Sequence, residues 1–231
     1  MDETALLDQL STADVIHAAN DGETLQIDKA FTALVETNID HLQSTDDLES
    51  WLRNRVDEPE VVGTLCPAAE EVPELVATYL ALRSRLAKIP SEELIRLALV
   101  LDQLRTDSSR TDGTPDSFLP VVGSQLPLLL DLQSIAVVYC WREDCDPCDE
   151  MKDAIETAFE DITADISRFS VYGPDSARRL QKEYGVKGAP TTLFIVDGQV
   201  DSRLHGAHYE ETIKKEVEKL REAVRGPPAA E

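Results

Sequence analysis

Aromatic side chains are scarce in this chain, at 5% of 231 residues, so aliphatic packing has to supply most of the core. Long apolar runs are missing too. None reaches the ~20 residues a membrane-spanning helix needs, and no membrane partner is expected. The opening stretch MDETALLDQL lacks the basic start of a secretory signal, and a cytoplasmic location is expected. Cysteine is limited to Cys66, Cys140, Cys145 and Cys148. Four cysteines, three of them clustered, do not make a disulfide-stapled secreted scaffold. A close pair in such a chain points to redox or metal chemistry.

Lysine is also in short supply, with 8 against 14 arginines, and the 22 cations face 45 carboxylates for a formal net charge of −23. The carboxylates are spread along the whole chain. Such a surface repels phosphate backbones and excludes nucleic acid as a partner. Self-repulsion of this size weakens a fold in dilute buffer. In molar salt the Debye length falls to about 3 Å and the repulsion largely vanishes. Acidic excess with few lysines is similar to the proteins of halophilic archaea, and folding that depends on salt is expected.

The 42% of hydrophobic residues is ordinary for globular cores, and the chain is long enough for two small domains. Residues 1–106 read as a helical bundle of unknown role. Leu6, Leu7, Leu10, Val15 and Ile16 fall at helical spacing, as do Phe31, Leu34 and Val35, then Leu48, Trp51 and Leu52. The strongest stripe covers 72–86, through Leu75, Val76, Tyr79, Leu82 and Leu86. Pro90 ends it, Ser91 is a candidate N-cap, and a helix over 94–104 follows. No two-residue alternation is evident in this half. Residues 107–116, DSSRTDGTPD, are turn formers and read as a linker. Beyond them 117–225 changes pattern, and the tail 226–231, GPPAAE, reads as disordered. A short helix is predicted at 126–132. Ile135–Trp141 is a β-branched apolar run suited to a central buried strand. A helix over Asp146–Phe159, a strand at 166–172 and a helix at 176–184 come next. Strands at Thr191–Val196 and 200–205, joined by Asp197-Gly198, form a hairpin, and a helix over 209–224 closes the chain.

Cys145-Asp146-Pro147-Cys148 thus stands after a buried strand and at the start of a helix. The first helical turn has unpaired N–H groups and the positive end of the helix dipole. A thiolate there is stabilised below the ordinary thiol value of about 8.5. The two-residue gap keeps the second sulfur within one turn, close enough to form a disulfide. The first thiolate can attack a disulfide and the second thiol can resolve the mixed intermediate.

Downstream lies YGVKGAPTTLFIVDG, 184–198. These two motifs, their separation of about 40 residues and the β-α-β-α-β-β-α order resemble the thioredoxin family across about 110 residues, and not across the helical half. The resemblance implies an α/β thioredoxin-like fold, a mixed sheet flanked by helices, preceded by the all-α domain. It implies Cys145 as attacking and Cys148 as resolving thiol, with no cofactor. It implies a cis-Pro190 facing the dithiol and a substrate surface of Trp141, Ala189, Pro190 and Thr191, where Ala189 offers its backbone to an extended peptide. Gly206 matches the glycine that ends the last strand. The expected partners are proteins carrying disulfides and a thioredoxin-reductase-like electron donor. The helical half is expected to serve a partner protein or a second copy of the chain.

Departures from the family pattern sit around the dithiol. Asp144 and Asp146 replace a tryptophan and a glycine, and with Pro147 they should tune Cys145. Negative neighbours raise a thiol's pKa and oppose the helix dipole, with Arg142 and Lys152 as candidate offsets. The family's buried Asp is Tyr139 here, and its Lys partner falls on Val171 in an ungapped alignment. With both gone, no orphan buried charge is left. Other readings of the cysteines are a zinc site, which would need two further ligands, and an iron–sulfur loop from Cys140, Cys145 and Cys148. No metal is expected. The competing functions are a protein thiol–disulfide oxidoreductase, a non-catalytic adaptor on a thioredoxin-like scaffold, and an adaptor switched by its dithiol.

Overall fold

A computed structural model describes residues 3–19, 24–105, 111–160 and 165–225. The chain divides into two compact units, Met1–Asp107 and Ser108–Glu231. The tail 226–231 and residues 107–110 of the expected linker lie outside the described residues.

In the first unit the elements are α1 (Glu3–Thr12), β1 (Ile16–Ala19), β2 (Thr24–Ile27), α2 (Lys29–Ser44), α3 (Leu48–Arg53), α4 (Pro59–Glu71), α5 (Pro73–Arg85) and α6 (Ser91–Arg105). Every residue of α5 from Leu75 to Leu82 is buried. A helix buried on all sides belongs at a bundle's centre, and α5 packs against α2, α4 and α6. Asn38 of α2 is buried but satisfied, its Nδ2 donating to the Ala77 carbonyl at 3.1 Å. The unit is not all-α: β1 and β2 form an antiparallel hairpin. Val15 and Ile16 do not extend the first helix because Asp14 takes a left-handed φ of 53°. The Val15 N–H then reaches back to the Leu10 carbonyl at 2.9 Å, a helix stop of the Schellman kind. Ser91 starts α6, and its hydroxyl accepts from the Tyr79 phenol at 2.9 Å.

The second unit comprises β3 (Leu119–Val121), α7 (Leu126–Asp131), β4 (Ile135–Trp141), α8 (Asp146–Phe159), β5 (Ser167–Tyr172), α9 (Gly173–Tyr184), β6 (Thr191–Val196), β7 (Gln199–His205) and α10 (Glu210–Arg225). Its sheet has the order β3-β5-β4-β6-β7. The first three strands run parallel, and β6 and β7 are antiparallel. All seven residues of β4 are buried, as befits a central strand covered on both faces. Ile135, Val137, Tyr139 and Trp141 share one core with Met151 and Ile155 of α8 and Ile213, Val217 and Leu220 of α10. The alternate residue Cys140 faces the other side, toward Leu180 of α9.

Residues 111–121 are built into this unit rather than linking to it. Leu119–Val121 pairs with β5, and the Thr114 hydroxyl donates to Ser170 at 3.1 Å. Gly113 lies flat on the indole of Trp141, where a Cβ would come within 2.2 Å of the ring. The turn-forming composition of this segment marks a covering loop. Gly198 at the β6–β7 turn has φ 75° and follows Asp197 at φ 46°, the conformation of a tight hairpin. No helix among the described residues is long and apolar enough to cross a membrane.

Candidate active site

The end of β4 and the start of α8 hold the two cysteines. Cys145 sits just ahead of the helix, its carbonyl accepting from the Cys148 N–H at 2.7 Å and the Asp149 N–H at 3.2 Å. Pro147 occupies the first turn, where a missing N–H costs nothing because that group has no helical partner. The bend brings the cysteine Cα atoms to 5.2 Å, and Cys145–Cys148 is a disulfide. Both are buried, at 5% and 2% exposure. Asp144 carries a positive φ of 50°, an uncommon conformation that Asp tolerates better than most residues. Asp144 and Asp146 are exposed.

The second strand of the site approaches from β6. The Ala189–Pro190 peptide bond is cis. The Ala189 carbonyl oxygen lies 4.0 Å from Cys145 Sγ. The Gly206 N–H donates to the Pro190 carbonyl at 2.9 Å, tying the turn to the end of β7. The Thr191 hydroxyl donates to the Gly188 carbonyl at 2.7 Å and lies 3.3 Å from His205 Nδ1. With 1% exposure it braces the turn from within. Pro190 is buried and Ala189 is half-buried. Trp141 is 3% exposed, held edge-on to Tyr172 at 5.1 Å and roofed by Gly113. Of the expected substrate surface, Ala189 is at the surface, while Trp141, Pro190 and Thr191 shape it from beneath. Loop 111–116 covers Trp141, and the turn itself covers Thr191.

Tyr139 is a part of the site whose role its residue type did not disclose. It lies on the dithiol side of the sheet, fully buried, and its hydroxyl donates to the Cys148 carbonyl at 2.7 Å. Burial pushes its phenol well above the ordinary value of 10, with Asp149 and Cys140 adding to the rise. The residue beside it on β5 is Ser170, not Val171, which pairs with Cys140 and so faces the opposite side. On β6 its neighbour is Thr192, whose hydroxyl is buried without a partner among the described residues. A neutral Ser170–Tyr139–Thr192 row thus underlies the cysteines.

The remaining thiols stand apart from this chemistry. Burial pushes Cys140 up to about 12. Cys66 is half-buried in α4, and its thiol is raised chiefly by burial, with Glu49 adding and Arg53 opposing. Lys152 is engaged away from Cys145, 3.9 Å from Glu156 and 3.5 Å from the Asp112 carbonyl. No group of three or more His, Cys, Asp or Glu side chains among the described residues is arranged to hold a metal ion.

A disulfide at a helix start, facing a cis-proline turn across a mixed sheet, is matched by a family model described as thioredoxin over residues 128–219. The C-terminal half of the chain is a thioredoxin-family domain. A chloroplastic M-type thioredoxin of Pisum sativum is 27% identical to this thioredoxin domain over 99 residues, which is 43% of the present chain and 52% of that protein. The chain thus spans about half the length of the curated relative it matches. Among solved structures, a mutant thioredoxin from Halobacterium salinarum NRC-1 is similar at 20% identity and a TM-score of 0.39, covering 47% of this chain and 96% of that one. Thiol–disulfide exchange is the general chemistry of the thioredoxin family, and a Cys145–Cys148 pair is present in this domain.

Proposed function

We propose that this protein is a thiol–disulfide oxidoreductase acting on disulfides of other proteins through Cys145 and Cys148. The observation that carries the reading is the Cys145–Cys148 bond at the start of α8 with the Ala189 carbonyl 4.0 Å from Cys145 Sγ. In the reduced enzyme the Cys145 thiolate attacks one sulfur of a substrate disulfide. A Cys145–substrate disulfide forms, the substrate S–S bond breaks, and the departing thiolate takes a proton from water. The Cys148 thiol gives its proton to solvent and attacks Cys145 Sγ. The internal disulfide closes and the second substrate thiol leaves. Two electrons pass from the dithiol to the substrate, and a second dithiol protein of the thioredoxin-reductase kind restores the pair.

Each neighbour has a part in this scheme. The N–H groups at the start of α8 stabilise the Cys145 thiolate. Exposed Asp144 and Asp146 oppose that stabilisation. The Ala189 backbone aligns an extended substrate segment beside Cys145, and Trp141, Pro190 and Thr191 fix that alignment. The helical domain, 1–106, selects the partner or a second copy, and the protein works in the cytoplasm at high salt.

A second reading, an adaptor whose thioredoxin domain is a scaffold or redox switch, draws on one observation. The position beneath Cys148 holds a neutral phenol, Tyr139, so no buried carboxylate is there to take the proton of Cys148. Turnover separates the readings. In molar KCl the wild type should reduce a protein disulfide catalytically, Cys145→Ser should be inert, and Cys148→Ser should accumulate mixed disulfides visible by mass spectrometry. Background rates for all three would leave the adaptor.

A further inference from the structure

A pocket of about 260 Å³ opens beside the Ala189 turn, on the α9 face of the sheet. Buried Cys140, Leu180 and Val186 give it an apolar interior, while exposed Arg142 and Lys187 stand at its rim. Arg142 is three residues ahead of Cys145, and Lys187 is two residues ahead of Ala189. Neither has an ion-pair partner among the described residues. Most of this surface is acidic, since the chain carries a net charge of −23. Two cations thus stand around one apolar hole that is lined in part by Ala189, whose carbonyl oxygen lies 4.0 Å from Cys145 Sγ.

We propose that this pocket docks a substrate segment in which an apolar side chain neighbours an acidic one, so that the enzyme selects disulfides flanked by such a sequence. The inference rests on the oxidoreductase reading and names its substrate class. The volume admits one or two aliphatic side chains, and filling it removes apolar surface from water on both partners. The carboxylate then meets Arg142 and Lys187 at the rim, where two attractive pairs form and a lysine in the same place would be repelled. The exposed Asp144 and Asp146 beside Cys145 disfavour an acidic residue there, so opposite charges in the two places fix the direction in which the segment lies. Cys140 at the pocket floor stays protonated, since burial holds its thiol at about 12, and it does not compete for the substrate disulfide.

The test uses the full chain at the lowest KCl concentration that preserves its circular dichroism. Two disulfide peptides are compared, identical except for Leu-Glu or Leu-Lys beside the cysteine. Wild type should favour the acidic peptide in kcat/KM by about threefold to tenfold, the range of one or two exposed ion pairs. The Arg142→Glu/Lys187→Glu double variant should invert that ratio. Calorimetry of the oxidised protein with the same sequences lacking cysteine reads docking without turnover, and replacing the peptide's Leu by Ser should weaken it several-fold. Equal kcat/KM for the two peptides, or binding indifferent to both Glu and Leu, overturns the proposal. Failure of wild type to reduce a small neutral disulfide, with charge-selective binding intact, would sink the oxidoreductase reading and leave the docking site standing.

Discussion

Tyr139 shows how one residue changes what the site can do. Its phenol is held above its ordinary value by burial and remains protonated wherever thiols titrate. It donates to the Cys148 carbonyl and cannot accept the Cys148 proton. Tyr139→Phe should therefore lower stability in urea unfolding by about 1 kcal/mol, the worth of one hydrogen bond. The pH profile of mixed-disulfide resolution should keep its shape, and a moved midpoint in that profile would make the phenol a proton carrier after all. Cys140 supplies a second prediction. Its thiol lies near 9 when unfolded and at about 12 in the fold. Between those values the unfolded chain releases the proton and the folded chain keeps it. Stability is thus fully present below about pH 9 and is lost as pH rises toward 12. Tyr139 and Tyr184, both raised mainly by burial, act in the same direction. Denaturant midpoints at pH 8, 9.5 and 10.5 should fall in that order, and Cys140→Val should flatten the trend.

At the scale of elements, what the sequence discloses depends on whether a neighbour in space decides the conformation. Asp146–Phe159, Ile135–Trp141 and Thr191–Val196 stand where periodicity and β-branching predict, because each carries its own apolar pattern. The hairpin β1–β2 has no such pattern, since four-residue strands with exposed Leu25 follow from the stop at Asp14. Segment 111–121 was illegible for a similar reason. Its turn residues give no sign that β5 and Trp141 will receive it, and Gly113 shows its purpose only against the indole. The cysteines are readable by spacing and the cis-proline turn by the family resemblance, whereas the support from Tyr139 emerges from sheet register and the burial of Trp141 from the loop that covers it. Gly113→Ala tests this packing. A methyl that must displace the Trp141 ring should cost about 1–3 kcal/mol and change the tryptophan near-UV signal. An unchanged melt and spectrum would mean the loop does not press on the ring. In the first unit, Asp28 caps α2 by accepting from the Ala30 and Phe31 N–H groups at 2.7 and 3.3 Å, and Asp28→Ala should lower stability by about 1 kcal/mol in denaturant unfolding.

For the whole molecule, charge is the dominant physical fact. Forty-five carboxylates and 22 cations leave an excess of negative charge that repels itself most strongly when the chain is compact, so dilute buffer favours expansion. The visible ion pairs do little to offset this. Arg53 with Glu49 and Lys214 with Glu210 each join two exposed partners, and pairs of that kind contribute ~0–1 kcal/mol each. Added salt acts on all the charges at once. Raising KCl from 0.1 to 2 M shortens the screening distance from about 10 Å to below 3 Å, less than the spacing of most surface carboxylates. Thermal midpoints should therefore climb with KCl, steeply at first and then slowly as repulsion is exhausted. Sodium chloride at equal ionic strength should act alike if screening is the cause, and sucrose at equal osmolality should not reproduce the steep early rise. A melting temperature already at its maximum in dilute buffer would show that the acidic surface is tolerated without salt, and would remove the ground for a halophilic protein. The same titration bears on the active site, because Asp144 and Asp146 are exposed and screened with the rest. The alkylation midpoint of reduced Cys145 should shift downward between 0.1 and 2 M KCl, and this shift should shrink in Asp144→Asn/Asp146→Asn, where the charges that salt would mask are gone.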